Sequence, residues 1–521
     1  MIHEHVAAVD MGSNSFRLQV GRIVGNQIYP LDGLKETVRL AAGLTPDKHL
    51  DEASQQRALA ALAQFGERLR DFAPDAVRAV ATDTLRVARN APQFLRQAEA
   101  ALGFPIEIIA GREEARLIYL GVAHSLPNPQ IRSLIVDIGG GSTECIIGQN
   151  IKPLQLESLY MGCVNFSLRF FPEGRVNKRG MQEAELAASR ELQTIVKAYR
   201  DTRWDAAVGS SGTAKAICDI LALNAYADGT ITRRGLERLR NRLVQAGGAA
   251  HSGLKGMRSD RIPVIAGGVA IMSAVFKEFD LDEMSFSEGA LRLGVLYDLL
   301  GRYHHEDMRE ATVKRFMQRY EVDAQQAERV CKMALKLFRQ LRSTDLVEDS
   351  ATAKLLAWAA RLAEVGVSVA HAGFHKHSAY VLANADMPGF SKRDQAMLSR
   401  LVLAQRGKLE RVQALMEMPP RARPTGEGLL RGGPAGAYAL PDYLPIFCLR
   451  VAALLHRARD DAPVPEVEVS ITAKGYELHI DRAWLANAPL TAAVLASEAE
   501  QWASVDIEFR VRARQWRAAA D

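Results

Sequence analysis

The chain reads as an α/β protein built on a duplicated half-domain, with a helical region and a small α+β segment behind it. Three observations predict this. A turn of the form Asp-x-Gly between two short apolar strands occurs twice, the texture changes to long amphipathic helical patterns near Arg309, and strict alternation returns after Val467. At 521 residues the chain is too long for one hydrophobic core, and about three to four domains are expected. Hydrophobic residues at 48% and charged residues at 24% are the usage of a chain folded throughout.

The first strand is Val6-Ala7-Ala8-Val9. It ends at Asp10-Met11-Gly12-Ser13-Asn14-Ser15, after which Phe16, Leu18 and Val20 alternate with polar residues as a second strand. The same grammar returns where Leu134-Ile135-Val136 leads into Asp137-Ile138-Gly139-Gly140-Gly141-Ser142-Thr143-Glu144 and then Cys145-Ile146-Ile147. Two such hairpins predict a duplicated half-domain, each hairpin offering backbone N–H groups and a carboxylate to a shared cleft. A third glycine turn, Gly209-Ser210-Ser211-Gly212-Thr213-Ala214-Lys215, follows an apolar strand at Ala206-Ala207-Val208 and leads toward a helix. Phosphate recognition needs several donors converging on one anion, and glycine lets the backbone approach closely. A Rossmann fingerprint or Walker loop is disfavoured: there is no G-x-x-x-x-G-K-[ST], and the two hairpin turns do not open into helices.

Beyond Arg309 the pattern predicts helices, including Ala327 to Leu341 and Ala353 to Val365. Proline and glycine then cluster from Met418 to Pro445, which predicts a long exposed loop. The tail predicts a strand at Val467 to Ile471, a turn near Lys474-Gly475 and a return strand through Leu478 and Ile480. A helix from Leu490 to about Trp502 and a last strand at Ile507 to Val511 complete it.

The N-terminus lacks the basic and apolar regions of a signal peptide, and no stretch is long and apolar enough to span a membrane, so a cytoplasmic location without integral membrane association is expected. Five scattered cysteines without C-x-x-C spacing argue against a disulfide framework or a zinc site. The net charge of +5 tilts the partner list weakly toward anions.

Several long motifs carry a specific resemblance. Asp10-Met11-Gly12-Ser13-Asn14-Ser15-Phe16-Arg17-Leu18, Ala81-Thr82-Asp83-Thr84-Leu85-Arg86, Gly111-Arg112-Glu113-Glu114-Ala115-Arg116 and Asp137 to Glu144 look like the exopolyphosphatase and guanosine-pentaphosphate phosphohydrolase family. The likeness continues through Met161-Gly162-Cys163-Val164, the Gly209 turn, Ser287 to Val295, and His371 to Tyr380, and so covers nearly the whole chain. It implies two actin-like (ribonuclease H-like) domains, 1–124 and 125–307, then an all-α degenerate HD-like domain at 308–463 and a small α+β C-terminal domain at 464–521.

The resemblance makes Glu114 the catalytic base, a carboxylate able to polarise a water for in-line attack on a terminal phosphorus, while Glu113 faces elsewhere. Glu144 joins it as the second catalytic carboxylate. Asp10, Asp137 and Glu144 are oxygen ligands of the kind magnesium prefers, and a monovalent cation such as K+ is a further candidate cofactor. Substrate contacts are expected from Ser13, Asn14, Ser15, Thr82, Gly139, Gly140, Gly141, Ser142, Ser211, Gly212 and Thr213. Arg17, Arg39 and Arg86 lie in segments resembling the family's phosphate-contacting region, and Arg86, flanked by Thr82 and Asn90, is favoured among them. Basic tracks for a polyanion are sought at Arg234, Arg238 and Arg242 and at Lys332, Lys336 and Arg339.

The degenerate HD-like domain departs from its pattern. Ala363-Glu364 stands where a His-Asp pair belongs, and His371 and His375, although at helix-compatible spacing, have too few partners for a metal site. The expected reaction is release of orthophosphate from the ends of inorganic polyphosphate. The alternative is removal of the 5′ γ-phosphate of guanosine pentaphosphate (pppGpp), with a kinase of the same fold and a non-catalytic alarmone sensor as more distant rivals. The family also implies a homodimer, and no nucleic-acid partner is expected.

Overall fold

A computed structural model describes residues 3–25, 27–303, 307–342, 351–410, 440–460 and 464–514. The chain divides into two units, Met1–Met308 and Arg309–Asp521.

The first unit holds two sheets with the same plan. In the first, the antiparallel hairpin of β1 (His5–Met11) and β2 (Phe16–Val24) continues into β3 (Gln27–Glu36), and β4 (Val77–Ala81) and β5 (Ile106–Ile108) add in parallel on the other side of β1, giving the order β3-β2-β1-β4-β5. In the second, β6 (Ser133–Ile138), β7 (Thr143–Gln149) and β8 (Lys152–Leu159) repeat the antiparallel run. There β9 (Ala206–Ser210) lies parallel to β6 and is followed by β11 (Glu283–Phe286) and the short β10 (Ile231–Thr232). The repeat extends to its irregularities. A register shift between Val20 and Gly21 in the first sheet recurs between Ile147 and Gly148 in the second, at the same distance past the hairpin aspartate. The predicted duplication is therefore a duplication of strand order, register and bulge.

The inner strands β1, β4, β6 and β7 are buried on both faces, while the edge strand β3 is largely exposed. Helices Glu52–Arg68 and Ala91–Leu102 cover one face of the first sheet through Leu62, Phe65, Phe94 and Ala98. The helix Glu52–Arg68 starts where Asp51 accepts a hydrogen bond from the Ser54 amide at 2.6 Å. Residues from the opposite faces of both sheets, among them Ala8, Val80, Ile135 and Ile146, share one core with helices Gly111–Ala123 and Leu291–Tyr303. These two helices cross at glycines. A Cβ on Gly294 would overlap the Leu117 carbonyl, and one on Gly121 would overlap that of Ala290. A buried ion network ties the same helices together: Arg78 and Arg116 meet Asp298, Arg116 also grips Glu113, and Arg78 reaches Glu107 at 3.0 Å. Glu113 thus faces this network while its neighbour faces the cleft.

In the second unit, helices Met308–Arg319, Ala324–Leu341, Ala351–Leu362, Phe374–Asn384, Lys392–Ala404 and Leu440–Leu455 share one hydrophobic core with a three-stranded sheet of β12 (Val467–Thr472), β13 (Gly475–Asp481) and β14 (Glu508–Arg514). The sheet has the order β12-β13-β14, with β14 parallel to β13, a pairing made possible by the crossover helix Pro489–Ala503. Gln340 ties the helices to the edge strand, donating to the Val467 carbonyl and accepting from the Val469 amide.

Most of the expected loop from Met418 to Pro445 lies outside the described residues, at 411–439. Its final stretch is helical: Pro445 sits within Leu440–Leu455, where burial of Tyr443, Leu444, Ile446 and Phe447 in the core offsets the one backbone bond a proline cannot make. Among the described residues no helix is long and apolar enough to cross a membrane.

Candidate active site

Each hairpin places its aspartate directly opposite another charged residue. Asp10 pairs in register with Arg17, and Asp137 with Glu144. Arg17 and Glu144 therefore hold the same position of the repeat, a cation in one lobe and a carboxylate in the other. The turns between them, Gly12–Ser15 and Gly139–Ser142, abut: a Cβ on Gly140 would stand 2.9 Å from that of Ser13, and one on Gly141 would overlap the Asp83 carboxylate. Glycine is required at 141 because the Asp83 side chain occupies the space that a Cβ would fill.

The third turn is tighter than expected. Strand β9 passes straight into the helix Ser211–Leu223, with Ser211 in the left-handed region at φ 67°. Thr213 donates its hydroxyl to the Ile138 carbonyl at 2.8 Å, which braces the second hairpin, and Ser210 donates its hydroxyl to the Gly289 carbonyl at 2.8 Å.

These elements enclose a cleft of about 270 Å³. All the predicted site residues line it except two. Arg39 is exposed, in the left-handed region, and only its backbone amide reaches the first turn, at the Asn14 carbonyl. Arg86 lies behind the lining and donates to Glu114 at 2.6 Å and to the Ile109 carbonyl at 3.1 Å. The favoured phosphate contact is thus a partner of the expected base.

Four further charged groups join the lining: Lys215, Arg261, Glu288 and Arg292. Lys215, Glu288 and Arg292 stand in segments that carried the resemblance, though with no role attached to them there. Arg261 had no sequence signal. It arrives from the loop before helix Ile265–Glu278, and a Cβ on Gly212 would collide with its guanidinium.

Five carboxylates converge here: Asp10, Asp83, Glu114, Asp137 and Glu144. Glu114 projects from the first turn of helix Gly111–Ala123. Burial pushes its carboxyl up to about 7, with Arg86 opposing and Asp83 and Asp10 adding to the rise. Burial likewise raises Asp137 to about 6 against the Ser211 and Ser210 hydroxyls. Glu144 is raised well above the usual range by burial and by Glu114 and Asp137, although Ser158 donates to it at 2.7 Å. Burial also raises Asp10, which Arg292 approaches to 3.9 Å, and Asp83, whose buried Oδ1 accepts no hydrogen bond. On the cationic side, burial and the neighbouring Arg292 push Arg17 down to about 10. Crowded guanidiniums beside glycine turns make a place where an anion is favoured.

The donors are all oxygen, which suits magnesium rather than a softer metal. Among the described residues no three His, Cys, Asp or Glu groups gather closely enough to hold an ion unaided. A magnesium ion that keeps several waters and shares phosphate oxygens needs only one or two carboxylates, and the paired Asp137 and Glu144 with the unsatisfied Asp83 oxygen fit that mode.

Neither basic track is a free row of cations. Arg242 donates to the Ser252 carbonyl at 2.7 Å, Arg238 faces the Tyr226 ring, and Arg339 donates to the Leu335 carbonyl. In the second unit Glu364 is neutralised by Arg459, and Gly373, at φ 71°, ends any helix between His371 and His375.

Two lobes of one repeated design, closing glycine turns, guanidiniums and a raised carboxylate around one cleft, define a phosphatase of the actin-like fold. The chain belongs to the Ppx/GppA phosphatase family: residues 19–303 match that family and residues 308–431 match Ppx/GppA phosphatase, domain III. It is 34% identical over 508 residues to a protein of Vibrio vulnificus (strain YJ016) named guanosine-5′-triphosphate,3′-diphosphate pyrophosphatase, covering 98% of each chain. Among solved structures, an exopolyphosphatase from Cytophaga hutchinsonii is 26% identical with a TM-score of 0.53, covering 57% of this chain and 98% of that one. An exopolyphosphatase-like protein is 23% identical with a TM-score of 0.52, covering 58% of this chain and 99% of its own.

Proposed function

We propose that this protein removes the terminal 5′ phosphate of pppGpp, yielding orthophosphate and the tetraphosphate. The observation that carries this reading is the likeness along 98% of both chains to the Vibrio pyrophosphatase, which takes in the second unit as well as the cleft. The polyphosphate activity expected from the sequence becomes the second reading. The Cytophaga exopolyphosphatase favours it, but that likeness extends over 57% of this chain.

In either case the chemistry is the same. Glu114 accepts a proton from water as the water oxygen attacks the terminal phosphorus, and the bond from phosphorus to the bridging oxygen breaks. A base with a pKa of about 7 is poised for this near neutral pH. Arg86 anchors its carboxylate and restrains the rise that burial causes. The turns at Gly12–Ser15 and Gly139–Ser142 present N–H groups to the phosphates, while Arg17, Arg261 and Arg292 bind the phosphate oxygens of the substrate. Magnesium, held by Asp137 and Glu144 with Asp10 and Asp83 beside them, would neutralise phosphate oxygens when bound.

The test is phosphate release by the purified protein with magnesium, from pppGpp and from long-chain polyphosphate at matched concentrations of chain ends. A clear preference for the nucleotide supports the proposal. Faster release from polyphosphate installs the second reading, and silence on both removes the two together.

A further inference from the structure

The second unit contains a cavity of about 260 Å³ of its own. Its character is set by arginine. Arg459, on the rim, is balanced by Glu364 at 2.5 Å and Asp323 at 3.8 Å. Arg406 and Arg457, also on the lining, have no carboxylate partner among the described residues. Arg406 is held at the mouth by a face-on approach to the Phe374 ring at 5.9 Å.

The walls are rigid for a binding surface. The Ala363 carbonyl accepts from Ser378 at 2.9 Å and from Gln405 at 2.7 Å, which locks the corner bearing Glu364. Besides the charged groups the lining offers an apolar patch of Val330, Phe374 and Leu454, bordered by Gln326, His371 and Gln405. Because Glu364 already carries its own guanidinium, the cavity offers no free carboxylate to a cation. Two uncommitted guanidinium forks with an apolar patch are complementary to an anion joined to a ring.

We propose that this cavity is a second ligand site, separate from the catalytic cleft, that takes a nucleoside phosphate. Arg406 and Arg457 hold the phosphate and the apolar patch receives the ring. The inference does not depend on which substrate the cleft hydrolyses.

Ribonucleoside monophosphates are suitable probes because they contain no phosphoanhydride bond for the cleft to break. Equilibrium dialysis of the full-length protein against each of the four, with orthophosphate in a parallel arm, counts the sites. At least one nucleotide is expected to bind, with a dissociation constant raised about tenfold or more by Arg406→Ala with Arg457→Ala. The same binding should survive Arg17→Ala with Arg261→Ala in the cleft. Both rim arginines are exposed, and an unchanged melting temperature checks that the fold is intact. Absence of binding by all four nucleotides overturns the proposal, as does binding that follows the cleft pair instead of the rim pair. Orthophosphate binding as tightly as the nucleotides would remove the role given to the apolar patch and overturn the nucleoside assignment.

Discussion

Arg86 donates a hydrogen bond of 2.6 Å to Glu114, joining the helix after β4 to the helix after β5 behind the cleft. The pair sets the base: burial drives the Glu114 carboxyl up, and the guanidinium draws it back to about 7. Glu114→Gln keeps the shape and removes the proton acceptor. Turnover is expected to fall by about two orders of magnitude or more with KM little changed, read from steady-state phosphate release.

The pH profile follows from the same pair. Only the ionised carboxylate can take a proton from water, so kcat/KM rises as pH passes upward through about 7 and then levels. Arg86→Gln removes the group that lowers the Glu114 pKa, and the acid limb of the profile should move to higher pH. An unmoved limb would separate Arg86 from the base.

The crowded guanidiniums should report as substrate binding. Replacing Arg261 or Arg292 with alanine removes a charge-assisted contact worth about 1.5 to 3 kcal/mol, which raises KM by about ten- to a hundredfold. For Arg261 this outcome would establish a contact that no motif announced.

Magnesium is tested by removal. Chelation with EDTA should abolish phosphate release and added Mg2+ should restore it, while Asp137→Asn should raise the Mg2+ concentration needed for half-maximal rate. Full activity in the chelator would exclude the metal role given to Asp137 and Glu144.

Stability in acid should depend on Asp298. Burial alone would raise its pKa, but Arg116, Arg78 and Arg302 outweigh burial and hold the carboxyl well below the usual range. Its contribution is present in full above the unfolded-chain value near 4 and is lost as pH falls through the depressed folded value. Asp298→Asn removes the carboxylate that buried Arg116 and Arg78 share, leaving them only Glu113 and Glu107, and should cost about 3 kcal/mol or more at neutral pH. Urea unfolding at pH 7 and at pH 3 checks both points, because the difference between wild type and variant should shrink in acid.

The sequence by itself determined the parts that depend on neighbours along the chain. Each hairpin was legible from alternation on either side of an Asp-x-Gly turn, and its recurrence announced the duplicated lobe because the pattern, the turn and the register all lie within a few residues. Glu114 was legible through its motif, and Glu113 was correctly set apart from it. The tertiary structure alone decided the rest. It turned Arg86 from a phosphate contact into the partner of Glu114, left Arg39 outside the cleft, brought Asp83 against Gly141, and delivered Arg261 to Gly212. Each of those contacts joins residues tens of positions apart in sequence, or depends on which way a side chain leaves its backbone. Local periodicity carries no information about that: the path of the chain through the packed lobes sets which distant group arrives, and burial there sets what its charge becomes.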